Sequence, residues 1–160
     1  FMAPSKTFNI AGIVSSFAVI PNPAIYKRYL EYLEKRELNQ GNLFAYIATQ
    51  AAYEGGEDWL NAVLKYIQGN IDFVSNFIEK NIPQIKVMKP EASFLIWLDC
   101  RELGLSQKEL VRLFTDKAHL VLNDGTMFGK EGEGFMRMNV GSPRAVIEKA
   151  MNNLKNAIDK

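Results

Sequence analysis

Two residues in this chain are of a type, and in a setting, that could do chemistry. The first is Lys6, flanked by the hydroxyls of Ser5 and Thr7 in the segment Ala3-Pro4-Ser5-Lys6-Thr7-Phe8-Asn9-Ile10-Ala11-Gly12. A lysine amine attacks a carbonyl only after losing its proton, and burial or a neighbouring cation promotes that loss. Hydroxyls with nearby amides can also hold a phosphate. On residue types alone the plainer reading is a solvated lysine, since Ser-Lys-Thr is an ordinary surface tripeptide. The second residue is Arg137, in Phe135-Met136-Arg137-Met138-Asn139-Val140. Strand alternation puts Met136, Met138 and Val140 on one face, and Phe135, Arg137 and Asn139 on the other. A guanidinium in so apolar a strand requires an acceptor, and its planar fork matches a carboxylate. The carboxylate can belong to the protein, as a structural salt bridge, or to a ligand. The strand alone leaves both open.

Other residues of reactive type read as structural. Gly125 to Glu131 is one residue short of a phosphate-binding loop, and Glu131 stands where that loop needs a hydroxyl. His119 has no partner histidine or acid at metal-ligand spacing, and Cys100 follows a buried strand as an inert core thiol. Asp124, next to Gly125, is a turn residue.

Composition excludes several function classes. With 48% hydrophobic and 23% charged residues, the 160-residue chain is neither disordered nor of low complexity. Nineteen basic residues against eighteen acidic ones leave a net charge of +1, so it carries no polycationic footprint for nucleic acid or anionic lipid. One cysteine and one histidine cannot build a disulfide framework or a cysteine zinc site, and no metal is expected. No apolar run approaches the roughly 18 residues of a membrane span, and no signal-peptide pattern opens the sequence, so a cytoplasmic location is expected. The chain opens on Phe1 and enters directly on motif-like residues. It reads as a piece of something longer, cut on its amino-terminal side.

The elements that must position Lys6 and Arg137 follow from periodicity. Ile13 to Ile20 is predicted as a buried strand, ended by Pro21-Asn22-Pro23. A helix follows from Pro23 to the break at Gly41-Asn42. Leu43 to Tyr53 forms another, apolar enough to be packed on several sides. Leu60, Val63, Leu64, Ile67, Ile71, Val74 and Ile78 hold one helical stripe from Glu57 to about Asn81, and Pro83 stops it. Beyond it, strands are expected at Ile85 to Met88, Phe94 to Leu98, Leu120 to Leu122 and Phe135 to Val140. Phe94 to Leu98 is central in the sheet, and Asn123-Asp124-Gly125 is a turn. Ser106 with Glu109 makes a capping box at the start of one helix. Ser142-Pro143 opens the last, with proline at its first position and Ile147, Met151, Leu154 and Ile158 on one face.

Taken together, these residues resemble a known family. Ala3 to Gly12 is similar to the lysine motif of pyridoxal-phosphate enzymes of the class I/II aminotransferase group, fold type I, and most of all to the cystathionine β-lyase-like subgroup. Later landmarks of that group stand in order: Phe94-Leu95-Ile96-Trp97-Leu98-Asp99, Leu122-Asn123-Asp124-Gly125 with Phe128-Gly129, and Gly132-Glu133-Gly134-Phe135-Met136-Arg137-Met138-Asn139. The resemblance covers essentially the whole chain.

The resemblance implies an α/β fold. Residues 1–56 would be the end of the large cofactor domain, residues 57–81 a connecting helix, and residues 82–160 a complete small domain with a short, mostly antiparallel sheet. It also implies pyridoxal 5'-phosphate as cofactor, Lys6 as the lysine that carries it, Ser5 and Thr7 as further cofactor-binding residues, and Arg137 as the clamp on an amino-acid α-carboxylate. Many aminotransferases of this fold have an arginine for the cofactor phosphate eight residues after the lysine. Val14 stands there, which favours a C–S lyase over a transaminase. A homodimer is implied, and the residues that hold the cofactor ring would precede this segment. Without them Lys6 should be solvated, the 160 residues inactive alone, and the helices before residue 80 should expose apolar surface. The alternative is a non-catalytic regulatory or binding protein that kept the fold.

Overall fold

The computed structural model, which describes residues 1–159, falls into two units, Phe1–Val63 and a second from Leu64 onward. The first unit holds α1 (Pro4–Thr7), a 3-10 turn (Ala11–Ile13), α2 (Pro23–Glu34), α3 (Leu43–Gly55) and the opening turns of α4 (Glu57–Asn81). Asn22 and Asn42 supply the side-chain oxygens that cap α2 and α3. The bounds of α4 are those its apolar spacing and Pro83 predict.

Two expectations fail in this unit. Ile13 to Ile20 is no strand: its one sheet-like contact is a bridge between Met2 and Phe17. Val14 takes a left-handed conformation (φ 52°) and is 84% exposed. A β-branched residue there ends any extended run, and no neighbouring strand takes up the backbone groups. Helix α3 is not packed on several sides either. Only Ala45 is buried, while Leu43, Phe44, Tyr46 and Ile47 are exposed. Its contacts within the unit include Phe8 and Phe17, which meet Tyr53 edge-on at 5.2 and 6.2 Å, and Ser15, which bonds Thr49 at 2.7 Å.

The second unit is built on a four-stranded antiparallel sheet. β1 (Lys86–Met88), β2 (Leu95–Asp99), β3 (Asn123–Asp124) and β4 (Phe135–Asn139) lie in the order β1-β2-β4-β3, so β2 is interior as its two apolar faces require. Along β2 and β4, Ile96, Leu98, Met136 and Met138 are buried. They share one core with Val74 and Ile78 of α4, Leu110 of α5 (Gln107–Arg112) and Phe114 of the π-helical turn that continues it (Leu113–Lys117). Ile147, Met151 and Leu154 of α6 (Arg144–Ile158) complete it. The alternate residues Trp97, Phe135 and Arg137 therefore stand on the opposite, half-buried face. Ser106 and Glu109 form the expected capping box.

A second apolar run also fails as a strand. Leu120 to Leu122 is not extended into the sheet, and Val121 is 89% exposed. The chain leaves the π-helical turn through His119 in a left-handed conformation (φ 55°) and reaches the edge of β4 only at Asn123. Asn123-Asp124 is thus the edge strand rather than a turn. Pro143 caps α6 instead of filling its first position.

The corner between β4 and α6 is pinned by Asn70 of α4. Its buried amide donates to the carbonyls of Val140 and Ser142 (2.9 and 3.0 Å) and accepts from Arg144 Nε (2.8 Å). Every polar atom of this buried side chain has a partner, as burial demands. No helix among the described residues is long and apolar enough to cross a membrane.

Candidate active site

Lys6 belongs to the first unit and Arg137 to the second. Lys6 projects from the single helical turn of α1, whose first residue is the proline that its fixed φ suits to that place. The turn is tied down on both sides. Met2 exchanges two backbone hydrogen bonds with Phe17 (2.7 and 3.0 Å), and the buried Phe8 seats its ring on Tyr53. Gly56 makes room for that seat, since a Cβ there would fall 2.9 Å from the Phe8 ring. Ser5 is buried, and Lys6 and Thr7 are exposed. Lys6 has no ionic or hydrogen-bonding partner for its amine among the described residues. The backbone is anchored and the amine stands in solvent, without the burial or neighbouring cation that would favour its loss of a proton.

Arg137 sits at the middle of β4, opposite Trp97 on β2 and Asn123 on β3. No carboxylate lies within salt-bridge distance of it among the described residues, so the structural ion pair that the strand left open does not form. Its Nη2 donates to Asn123 Oδ1 at 2.9 Å, and its Cζ lies 4.3 Å from the centroid of the Phe128 ring. Trp97 in turn meets Phe128 and Phe135 edge-on at 5.4 and 6.1 Å. The Nε of Arg137 is buried and has no partner. An unpaired buried donor costs about 1–3 kcal/mol, more when the group is charged. Arg137, Asn123, Asn139 and His119 are among the residues lining a cleft of about 350 Å³ that contains no acidic residue.

Asn123, Phe128 and Trp97 stood in the motifs of the sequence but had no role there. Their meeting around Arg137 depends on strand register, which residue spacing does not give. Nearby groups hold the loop that carries Phe128. Asp124 Oδ1 accepts from the Thr126 amide (2.8 Å), the Thr126 hydroxyl (2.7 Å) and Gln107 Nε2 (2.7 Å). Gln107 Oε1 accepts from the Gly134 amide at 2.6 Å. Gly125 passes so close to β4 that a Cβ on it would lie 2.7 Å from the Phe135 carbonyl.

Partial burial pushes the Asp124 carboxyl up, but the hydrogen bonds from Thr126 and Gln107 together outweigh it and hold the group below its ordinary value of 3.8. A folded-state value depressed in this way contributes stability above about pH 3.8 that is lost as pH falls through the folded value. Urea midpoints should therefore fall more steeply below pH 4 in the native protein than in Asp124→Asn. Parallel curves would show that Asp124 is not held in this way. Cys100 is structural as the sequence suggests: it is buried and its thiol is pushed up to about 12 by that burial. Asp99 is lowered by its paired hydrogen bonds from Arg101 (2.9 and 2.7 Å).

The chain has relatives among known proteins. Cystathionine beta-lyase PatB of Bacillus subtilis (strain 168) is 40% identical over 156 residues, 98% of this chain and 40% of the relative. A pyridoxal-phosphate-bound protein of Clostridium difficile 630, proposed to be an aminotransferase, superposes with a TM-score of 0.92 at 43% identity over 98% of this chain and 41% of the other. Cystalysin of Treponema denticola, whose crystal structure contains pyridoxal 5'-phosphate, superposes with a TM-score of 0.89 at 34% identity over 98% and 40%. The chain thus spans about 40% of the length of the relatives it matches. No protein-family model matches the sequence.

Proposed function

We propose, for a chain whose homologues and structural neighbours are pyridoxal-phosphate-dependent aminotransferases and C–S lyases, that it belongs to the active site of an enzyme acting on amino acids. The observation that carries this reading is Arg137, a half-buried arginine with no carboxylate of the protein beside it and one buried donor unsatisfied. An amino-acid α-carboxylate supplies the missing acceptor. Lys6 is the residue that would hold pyridoxal 5'-phosphate, with Ser5 and Thr7 beside it. Its place on a turn anchored at both flanks supports that duty. When bound, the cofactor supplies the electron sink that makes the α-proton of an amino acid acidic enough to remove. The rest falls to the chain's own residues: Arg137 binds the carboxylate and sets the orientation of the α-carbon, and the Lys6 amine takes the α-proton.

Of the two reactions, C–S lysis is the one we favour. Val14, eight residues after Lys6, is exposed and uncharged where many aminotransferases of the fold carry an arginine. Full-length protein carrying this sequence should convert cystathionine and water into homocysteine, pyruvate and ammonia. The proton leaves the α-carbon, the Cβ–S bond breaks, and the electron pair departs with sulfur. Amino-group transfer to 2-oxoglutarate without pyruvate release would overturn the lyase reading and leave the enzyme family in place. For the 160 residues by themselves we infer no turnover, because Lys6 stands open to solvent. The domain reading is retained as part of the proposal: the end of a cofactor domain to residue 56, a connecting helix over 57–81 and a small domain after it. A homodimer, which the family resemblance implies, is a further part of the proposal.

A further inference from the structure

We propose that Asn123 and Phe128 are positioning residues for Arg137, and that together they determine whether the guanidinium can take a ligand carboxylate. The inference rests on the reading of Arg137 as a carboxylate clamp. A guanidinium has a plane and a perimeter, and each is addressed by a different neighbour. The plane is covered by Phe128, with Arg137 Cζ 4.3 Å from the ring centroid, so the negative face of the ring meets the delocalised charge. Trp97 stands edge-on against Phe128 at 5.4 Å and holds that ring at its angle. On the perimeter, Nη2 donates to the Asn123 amide oxygen at 2.9 Å.

The neutrality of Asn123 is the decisive feature. It is the cross-strand partner of Arg137 on the edge strand β3, the place where a salt-bridging acid would most easily sit. An amide there orients the fork without neutralising it, and the charge stays available to an incoming anion. Asn123 is set opposite Arg137 by the β3–β4 ladder, and Asp124 beside it is fixed by hydrogen bonds from Thr126 and Gln107. The free donor left by this arrangement is Nε, buried and unpaired. A carboxylate oxygen that reaches it brings its second oxygen to an adjacent N–H of the same fork.

Every group in this arrangement lies within the chain, so the chain itself can be tested. The probe is sodium acetate, and the readout is the Arg137 Nε–H resonance in a ¹H–¹⁵N spectrum, identified by its loss in Arg137→Lys. Native protein should give a saturable shift. Asn123→Asp should abolish it, because a permanent ion pair occupies the fork. Phe128→Leu should weaken binding by about three- to tenfold, the range of a partly exposed cation–π contact, and Phe128→Tyr should restore it by returning a ring. Phe128 is 49% exposed, so these exchanges leave the core intact. Unchanged acetate binding in both Asn123→Asp and Phe128→Leu would overturn the positioning roles while leaving Arg137 as the clamp. A native resonance that acetate does not move would overturn both.

Discussion

Arg137→Lys in full-length protein carrying this sequence is expected to weaken amino-acid substrates by about ten- to a hundredfold while leaving cofactor binding untouched. The magnitude follows from what is exchanged. A planar fork donating two parallel, charge-assisted hydrogen bonds becomes a single ammonium, and hydrogen bonds to charged groups contribute roughly 1.5–3 kcal/mol, with tenfold in affinity for each 1.4. The surroundings make lysine a poor substitute. Phe128 and Asn123 are arranged for a flat group with donors on its rim, and a lysine ammonium in their place would leave the Asn123 oxygen and the aromatic face without their present partner. The loss should appear in substrate binding, read as KM or as the dissociation constant of an unreactive amino acid. Unchanged values would remove Arg137 from the site and leave its unpaired Nε unexplained.

How much of this was legible in the residues can be judged element by element. Helix α4 was, because a 3.6-residue apolar stripe ended by Pro83 has only one low-energy reading. The capping box at Ser106 was too, since both of its hydrogen bonds are local. The interior place of β2 follows from its two apolar faces, and the core face of β4 follows from alternation, which also placed Arg137 away from the core. Ile13 to Ile20 and Leu120 to Leu122 were misread for a common reason. An apolar run becomes a strand only where a partner takes its backbone groups, and in both segments a residue of positive φ, Val14 or His119, turns the chain away first. Apolar α3 was misread because composition says what a helix could bury and not what is there to bury it. At the proposed site, motif and strand pattern single out Lys6 and Arg137, whose roles belong to the proposal. Asn123 and Phe128 were named without a role, because the register of β3 on β4 joins residues fourteen apart and no local rule fixes it.

Lys6→Ala should have the largest effect of any substitution in the chain. In full-length protein with pyridoxal phosphate it should abolish the visible absorbance of the lysine-bound cofactor, and it should lower turnover by at least the 10²–10⁴-fold that a positioned proton acceptor contributes. The change removes one exposed side chain from a four-residue turn that is anchored by its flanks, through the Met2–Phe17 bridge and Phe8 on Tyr53, and not by Lys6 itself. Stability should therefore be unchanged, which separates loss of chemistry from loss of fold. Lys6→Arg sharpens the distinction, because arginine keeps the charge and length yet is effectively never deprotonated. It should be as inactive as the alanine variant. Retained absorbance in Lys6→Ala would move the cofactor to another amine and with it the identity of the base. Activity in Lys6→Arg would show that only positive charge is needed at this position, and Lys6 would then be a binding group that takes no proton.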